Sequence, residues 1–85
     1  MIKDSLYYKI YIEKSPIRKE ILKKLETQDQ VAIFLIKDLK KHRSVISRAL
    51  KELTEEHLAE CLNPEEPKYK RYKITKLGKD ILKLL

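Results

Sequence analysis

Between Phe34 and Leu53 two helical patterns follow one another with only His42-Arg43 left to join them. In the first, Phe34 to Lys41, the residues Leu35, Ile36 and Leu39 share one side while Lys37, Lys40 and Lys41 fall outside it. In the second, Ser44 can cap by accepting an early backbone amide, and Ile46, Leu50 and Leu53 recur at the spacing of a buried stripe. Two short helices joined so tightly, the second with basic residues near its start, make a helix-turn-helix unit. Docked by its apolar stripe, the second helix presents Arg43, Ser47, Arg48 and Lys51 on its other faces. A solvated charged face is the ordinary alternative for a short amphipathic helix. The flanking sequence bears on the choice.

Ser15-Pro16 is a helix start, since proline suits the first helical position and serine can cap. Ile17, Ile21, Leu22 and Leu25 then mark a buried face that ends near Thr27. Gln28 to Gln30 reads as a polar turn and Val31-Ala32-Ile33 as a very short strand. Upstream, residues 4 to 13 send conflicting signals. Leu6, Tyr8, Ile10 and Ile12 alternate as in a strand, while Asp4 or Ser5 could cap a helix; helix is the preferred reading. Tyr7, Tyr8 and Tyr11 are many for one face of a small core, so they either cover its edge or meet a second subunit.

Beyond the second helix, Leu58 to Leu62 reads as a strand. Asn63-Pro64-Glu65-Glu66-Pro67 is a turn cluster, and Tyr69 to Ile74 alternates as a returning strand with Tyr72 and Ile74 on one face. Thr75 caps a last helix whose Leu77, Ile81, Leu82, Leu84 and Leu85 give a wide apolar face, which either closes the core or is shared between subunits.

The net charge of +7 is segregated along the chain. Residues 37 to 51 carry six bases and one acid, 52 to 66 no base and six acids, and 67 to 85 seven bases and one acid. Two basic blocks flanking an acidic one predict a folded protein with a positive face that attracts a polyanion. The 85 residues suit one domain, residues 1 to 85, with 1 to 14 as an N-terminal extension. No apolar run approaches the ~20 residues of a membrane span, and no signal peptide is visible, so a cytoplasmic protein without membrane contact is expected. One cysteine, Cys61, and two scattered histidines exclude an internal disulfide and give no zinc spacing; no metal or other cofactor is expected. Cys61 reads as a small apolar filler. There is no Gly-rich phosphate loop and no Cys-His or Ser-His pairing with an orienting third residue, and the acids from Glu52 to Glu66 read as solvated positions, so an enzyme is not expected. The single Gly and the many Lys and Glu resemble hyperthermophile composition.

Three stretches carry a resemblance to a known family: Ser15-Pro16-Ile17-Arg18-Lys19-Glu20-Ile21-Leu22, Val45-Ile46-Ser47-Arg48-Ala49-Leu50-Lys51-Glu52-Leu53, and Tyr72-Lys73-Ile74-Thr75-Lys76-Leu77-Gly78. In this order, over about residues 15 to 83, they resemble the winged helix-turn-helix transcription regulators, especially the archaeal and bacterial repressors of the arsenical-resistance and multiple-antibiotic-resistance types. The resemblance implies an α+β fold: a three-helix core, a β-hairpin wing, and flanking N- and C-terminal helices, with 75 to 85 available for dimerisation. It implies double-stranded DNA as partner and a homodimer as the working unit. Helix 44 to 55 would enter the major groove through Ser44, Ser47, Arg48 and Lys51, with Lys40, Lys41 and Arg43 beside it. The wing, 63 to 71, would lay Lys68, Lys70 and Arg71 on the flanking backbone or minor groove. Val45 would either touch a thymine methyl or join the core, and Arg43 or Arg48 is the candidate for a bidentate contact to guanine.

Two departures stand out. His57 occupies the sharp turn after the second helix, where the family usually has glycine, and histidine tolerates the positive φ required there. The cysteine and histidine clusters of metal-sensing members are absent, and no segment forms an evident pocket for a small-molecule effector. Two further readings of the fold stay open: a winged helix used for protein contacts in a larger assembly, and an architectural DNA binder indifferent to sequence.

Overall fold

A computed structural model describes residues 3–85. The ambiguous N-terminal stretch is a helix, α1 (Ser5–Glu13), capped by Asp4, whose carboxylate accepts the Tyr7 amide at 2.9 Å. Its buried residues are Tyr8 and Ile12, four apart, while Leu6 and Ile10 face solvent. The apparent strand alternation was therefore half of a helical repeat. Helix α2 (Pro16–Thr27) begins as expected, with Ser15 Oγ accepting the Arg18 amide and proline in the first turn. Ile21, Leu22 and Leu25 are fully buried.

Strand β1 is Gln30–Val31, and helix α3 runs Ala32–Leu39. The expected strand over 31 to 33 is thus corrected: Ala32 and Ile33 open the helix, and the pairing stops once the Ala32 amide has donated to the Lys70 carbonyl. Gln30, read as a turn residue, is buried, and its amide group donates to the Lys24 carbonyl at the end of α2. Helix α3 ends earlier than its pattern suggested because Lys40 adopts a left-handed conformation, φ 53°. That one residue reverses the chain in time for α4 (Arg43–Glu55).

The turn after α4 rests on His57, at φ 59°, as the sequence implied. Strands β2 (Ala59–Cys61) and β3 (Arg71–Ile74) form the hairpin, with Cys61 opposite Tyr72 and Ala59 opposite Ile74. Strand β3 lies between β2 and β1, antiparallel to both. Thr75 caps α5 (Lys76–Leu82), accepting the Gly78 amide at 3.0 Å while donating to the His57 carbonyl at 2.7 Å. Leu84 and Leu85, expected on the apolar face of this helix, lie beyond its end and are exposed. A single core joins Ile12, Ile21, Leu22, Leu35, Ile46, Leu50, Leu53, Leu58 and Ile81, so every helix and the hairpin dock on α2 and α4. The result is the winged helix-turn-helix architecture implied by the sequence.

Candidate nucleic-acid interface

Helix α4 is held by Ile46, Ala49, Leu50 and Leu53, all buried. That face fixes where the others point. At about 100° per residue, Ser44, Arg48, Lys51 and Glu55 stand directly opposite the core, Arg43, Ser47 and Thr54 turn toward α3 and the wing, and Val45 and Glu52 occupy the other flank. Val45, left open between core and surface by the sequence, is exposed.

The start of α4 differs from expectation. Its cap is His42 rather than Ser44, and the helix begins at Arg43. The His42 backbone is extended, its Nδ1 accepts the Ser44 amide at 3.2 Å, and its carbonyl accepts the amides of Val45 and Ile46. An imidazole nitrogen can thus do what a serine hydroxyl does at this position. Ser44 Oγ lies 2.8 Å from the same nitrogen, inside the first turn.

A groove of about 610 Å³ runs between α3, α4 and the wing. Arg43, Ser47 and Lys51 form one wall, Lys68, Tyr69 and Lys70 the other, and Ile33, Ile36, Leu50 and Tyr72 the apolar floor. Of the positions singled out in the sequence, the fold therefore gathers Arg43, Ser47, Lys51, Lys68 and Lys70 around one channel. Ser44, Val45 and Arg48 project from the exposed face of α4 outside it, and Lys40 and Lys41 sit in the turn that precedes the helix. Arg71 belongs to β3 rather than to the wing loop and is exposed at its base.

The electrostatics of this face follow from pairings elsewhere. Among the described residues the ion pairs are Lys3 with Glu56 and Arg18 with Glu52. Glu52 and Glu56, read as solvated, are thus corrected: two acids of the 52 to 66 block are matched to bases of α2 and of the N-terminus. Among the described residues, none of the cations of α4 or of the wing is held in an ion pair.

Arg18 is a residue that anchors α4 and that periodicity did not reveal. Its guanidinium bonds both carboxylate oxygens of Glu52, at 3.3 and 3.2 Å, and donates to the Tyr11 carbonyl at 2.8 Å. It also lies 3.9 Å from the centre of the Tyr11 ring. One side chain ties α1 and α2 to α4. Its only sequence signal was a base three residues beyond the cap of α2, which any surface helix could carry. Tyr69 was likewise read only as part of an alternating strand, yet it is exposed and lines the groove between two lysines.

No protein-family profile matches the chain, and no curated protein does. Solved structures do. A MarR family transcription regulator superposes with a TM-score of 0.71 at 32% identity, over 81% of this chain and 47% of its own. ZitR of Lactococcus lactis gives 0.72 at 20% identity, over 82% and 49%, and the adhesin competence repressor of Streptococcus pyogenes gives 0.73 at 20% identity, over 82% and 52%. This chain spans about half the length of those proteins. Of the two repressor types that the sequence resembles, the structural likeness thus falls on the multiple-antibiotic-resistance type. In fold, this chain is a winged helix-turn-helix domain of the kind solved in MarR family transcription regulators.

Proposed function

We propose that this chain is the DNA-binding domain of a transcription regulator. The observation that carries the reading is the groove with unpaired cations on both walls, one wall being the second helix of a helix-turn-helix and the other a wing. In this reading α4 enters the major groove. Ser44, Ser47, Arg48 and Lys51 face base edges and phosphates, Val45 is free to meet a thymine methyl, and Lys40, Lys41 and Arg43 lie toward the strand that flanks them. Lys68, Lys70 and Arg71 take the neighbouring backbone. The 32% identity with a MarR family regulator supports the same assignment. Residues 1 to 85 act as one domain. They work as a homodimer, since one module this small contacts too few bases to find a site alone; exposed Leu6, Ile10, Leu84 and Leu85 at the two ends supply apolar surface for the partner.

A titration of the purified chain against its own promoter region and against random duplex of equal length, at two salt concentrations, tests the proposal. Binding to the promoter that outlasts binding to the random duplex at high salt is the expected result. Equal, salt-labile binding to both would point to an architectural binder. Absence of binding to either would turn the fold toward protein partners.

A further inference from the structure

The wing loop is held by side chains rather than by its strands: Glu66 Oε1 accepts the Lys68 amide at 3.3 Å, and Asn63 ties the loop to the returning strand. Past the Cys61–Tyr72 pair the ladder continues for one bond, from the Leu62 amide to the Arg71 carbonyl at 2.8 Å. The Arg71 amide points the same way, as N–H and C=O of one residue do in an antiparallel strand. It is met by Oδ1 of Asn63 at 2.7 Å. The other end of the same amide group, Nδ2, donates to the Tyr69 carbonyl at 3.1 Å, and the Cys61 thiol lies 3.9 Å from Oδ1. Asn63 thereby closes a loop of two prolines and no glycine whose own backbone supplies one bond, from the Glu66 amide to the Asn63 carbonyl. Between the two clasped residues lies Lys70, and just before them Lys68, the two cations of the wing wall.

We infer that Asn63 is a positioning residue of the wing: it touches no nucleic acid itself and sets where Lys68, Tyr69 and Lys70 stand across the groove from α4. The inference rests on the DNA-binding reading for its purpose, but the clasp is measurable without DNA. Asparagine suits the chemistry, because its short amide group can accept from one amide and donate to a carbonyl two residues earlier on the same strand. Aspartate can only accept, and alanine can do neither. Asn63 contributes nothing to the buried core, so its removal loosens the wing and leaves the helices in place.

Amide hydrogen exchange of the free chain, read at Arg71, combined with the salt dependence of duplex binding, tests this for Asn63→Ala and Asn63→Asp. Exchange at Arg71 should accelerate in Asn63→Ala and stay near that of the unsubstituted chain in Asn63→Asp, with core amides unchanged in both. Each phosphate contact contributes ~0.9 to the slope of log affinity against log salt. Asn63→Ala should therefore flatten the slope by about two units, as far as Lys68→Ala with Lys70→Ala does, and adding it to that pair should change nothing more. Unchanged exchange at Arg71 would remove the clasp. Faster exchange with an unaltered slope would remove its role in positioning. A chain with no salt-dependent DNA binding at all would overturn the DNA-binding reading, and with it the purpose given to the clasp, whatever Arg71 shows.

Discussion

Added at Gly78, a Cβ would stand against the carbonyl oxygen of Leu58 and 2.7 Å from Cγ1 of Ile74. Alanine would gain ~1 kcal/mol of helix propensity in α5. Against that stands overpacking, ~1 to 3 kcal/mol, toward its upper end because the obstructing atom is backbone and already accepts the Thr75 amide. Gly78→Ala should therefore lower stability by about 1 to 2 kcal/mol in denaturant titration. An equal or higher midpoint would mean that α5 can slide outward at little cost. Arg18 works the other way, through what it attaches. Arg18→Ala leaves the Glu52 carboxylate and the Tyr11 carbonyl without their donor, a loss of about 2 kcal/mol for a half-buried, charge-assisted set. Arg18→Lys should recover less than half of it, since an ammonium cannot bridge both carboxylate oxygens and lie on the ring. Full recovery in the lysine variant would show that charge alone matters at this position.

At the scale of elements, the proposed DNA binding divides the work between the helix and the wing, and their variants should separate cleanly. Arg48 projects from the middle of the exposed face of α4, so Arg48→Ala should cost ~1 to 3 kcal/mol of discrimination if it reads a base. Lys70, on the wing wall, should when replaced by alanine weaken all sequences alike and flatten the salt slope by about one unit. Competition binding with matched and scrambled duplexes measures both; if neither variant alters DNA binding, α4 does not dock as described. The sequence made these elements legible where burial repeats at helical spacing, as in α2 and α4, and where a cap side chain stands at its proper place, as at Ser15 and Thr75. It failed where a single residue decided. Nothing local shows that Lys40 would turn left-handed, or that Val31 would pair for two residues only, because both follow from how α3 must meet α4 and β3. The cap at His42 was missed because serine two residues on is the stronger local signal. The wing cations could be read from charge alone, but the Asn63 clasp that carries them needed the register of β2 and β3.

At the scale of the molecule, Glu52 and Glu56 are paired with Arg18 and Lys3, away from the groove, and one of these pairs, together with two half-buried tyrosines, sets how stability responds to alkali. The hydrogen bond to Glu56, opposed in part by desolvation, holds the Lys3 ammonium above its ordinary value of 10.5. Burial raises the Tyr72 phenol above 10.0, with the neighbouring Cys61 adding to the shift, and burial raises Tyr11 against the opposing pull of Arg18. In each case the folded chain holds its proton more tightly than the unfolded chain. The stabilising contribution is therefore complete below the unfolded values and lost as pH climbs through the folded ones, for the lysine and the phenols alike. Thermal unfolding followed from pH 8 to pH 11 should show a midpoint that declines from about pH 10 upward. Tyr72→Phe keeps the ring over the groove floor and removes the ionisable hydroxyl, so its decline should be shallower than that of the unsubstituted chain. Two superimposable alkaline limbs would show that Tyr72 reaches solvent freely, and would locate the loss in the Lys3–Glu56 pair and Tyr11.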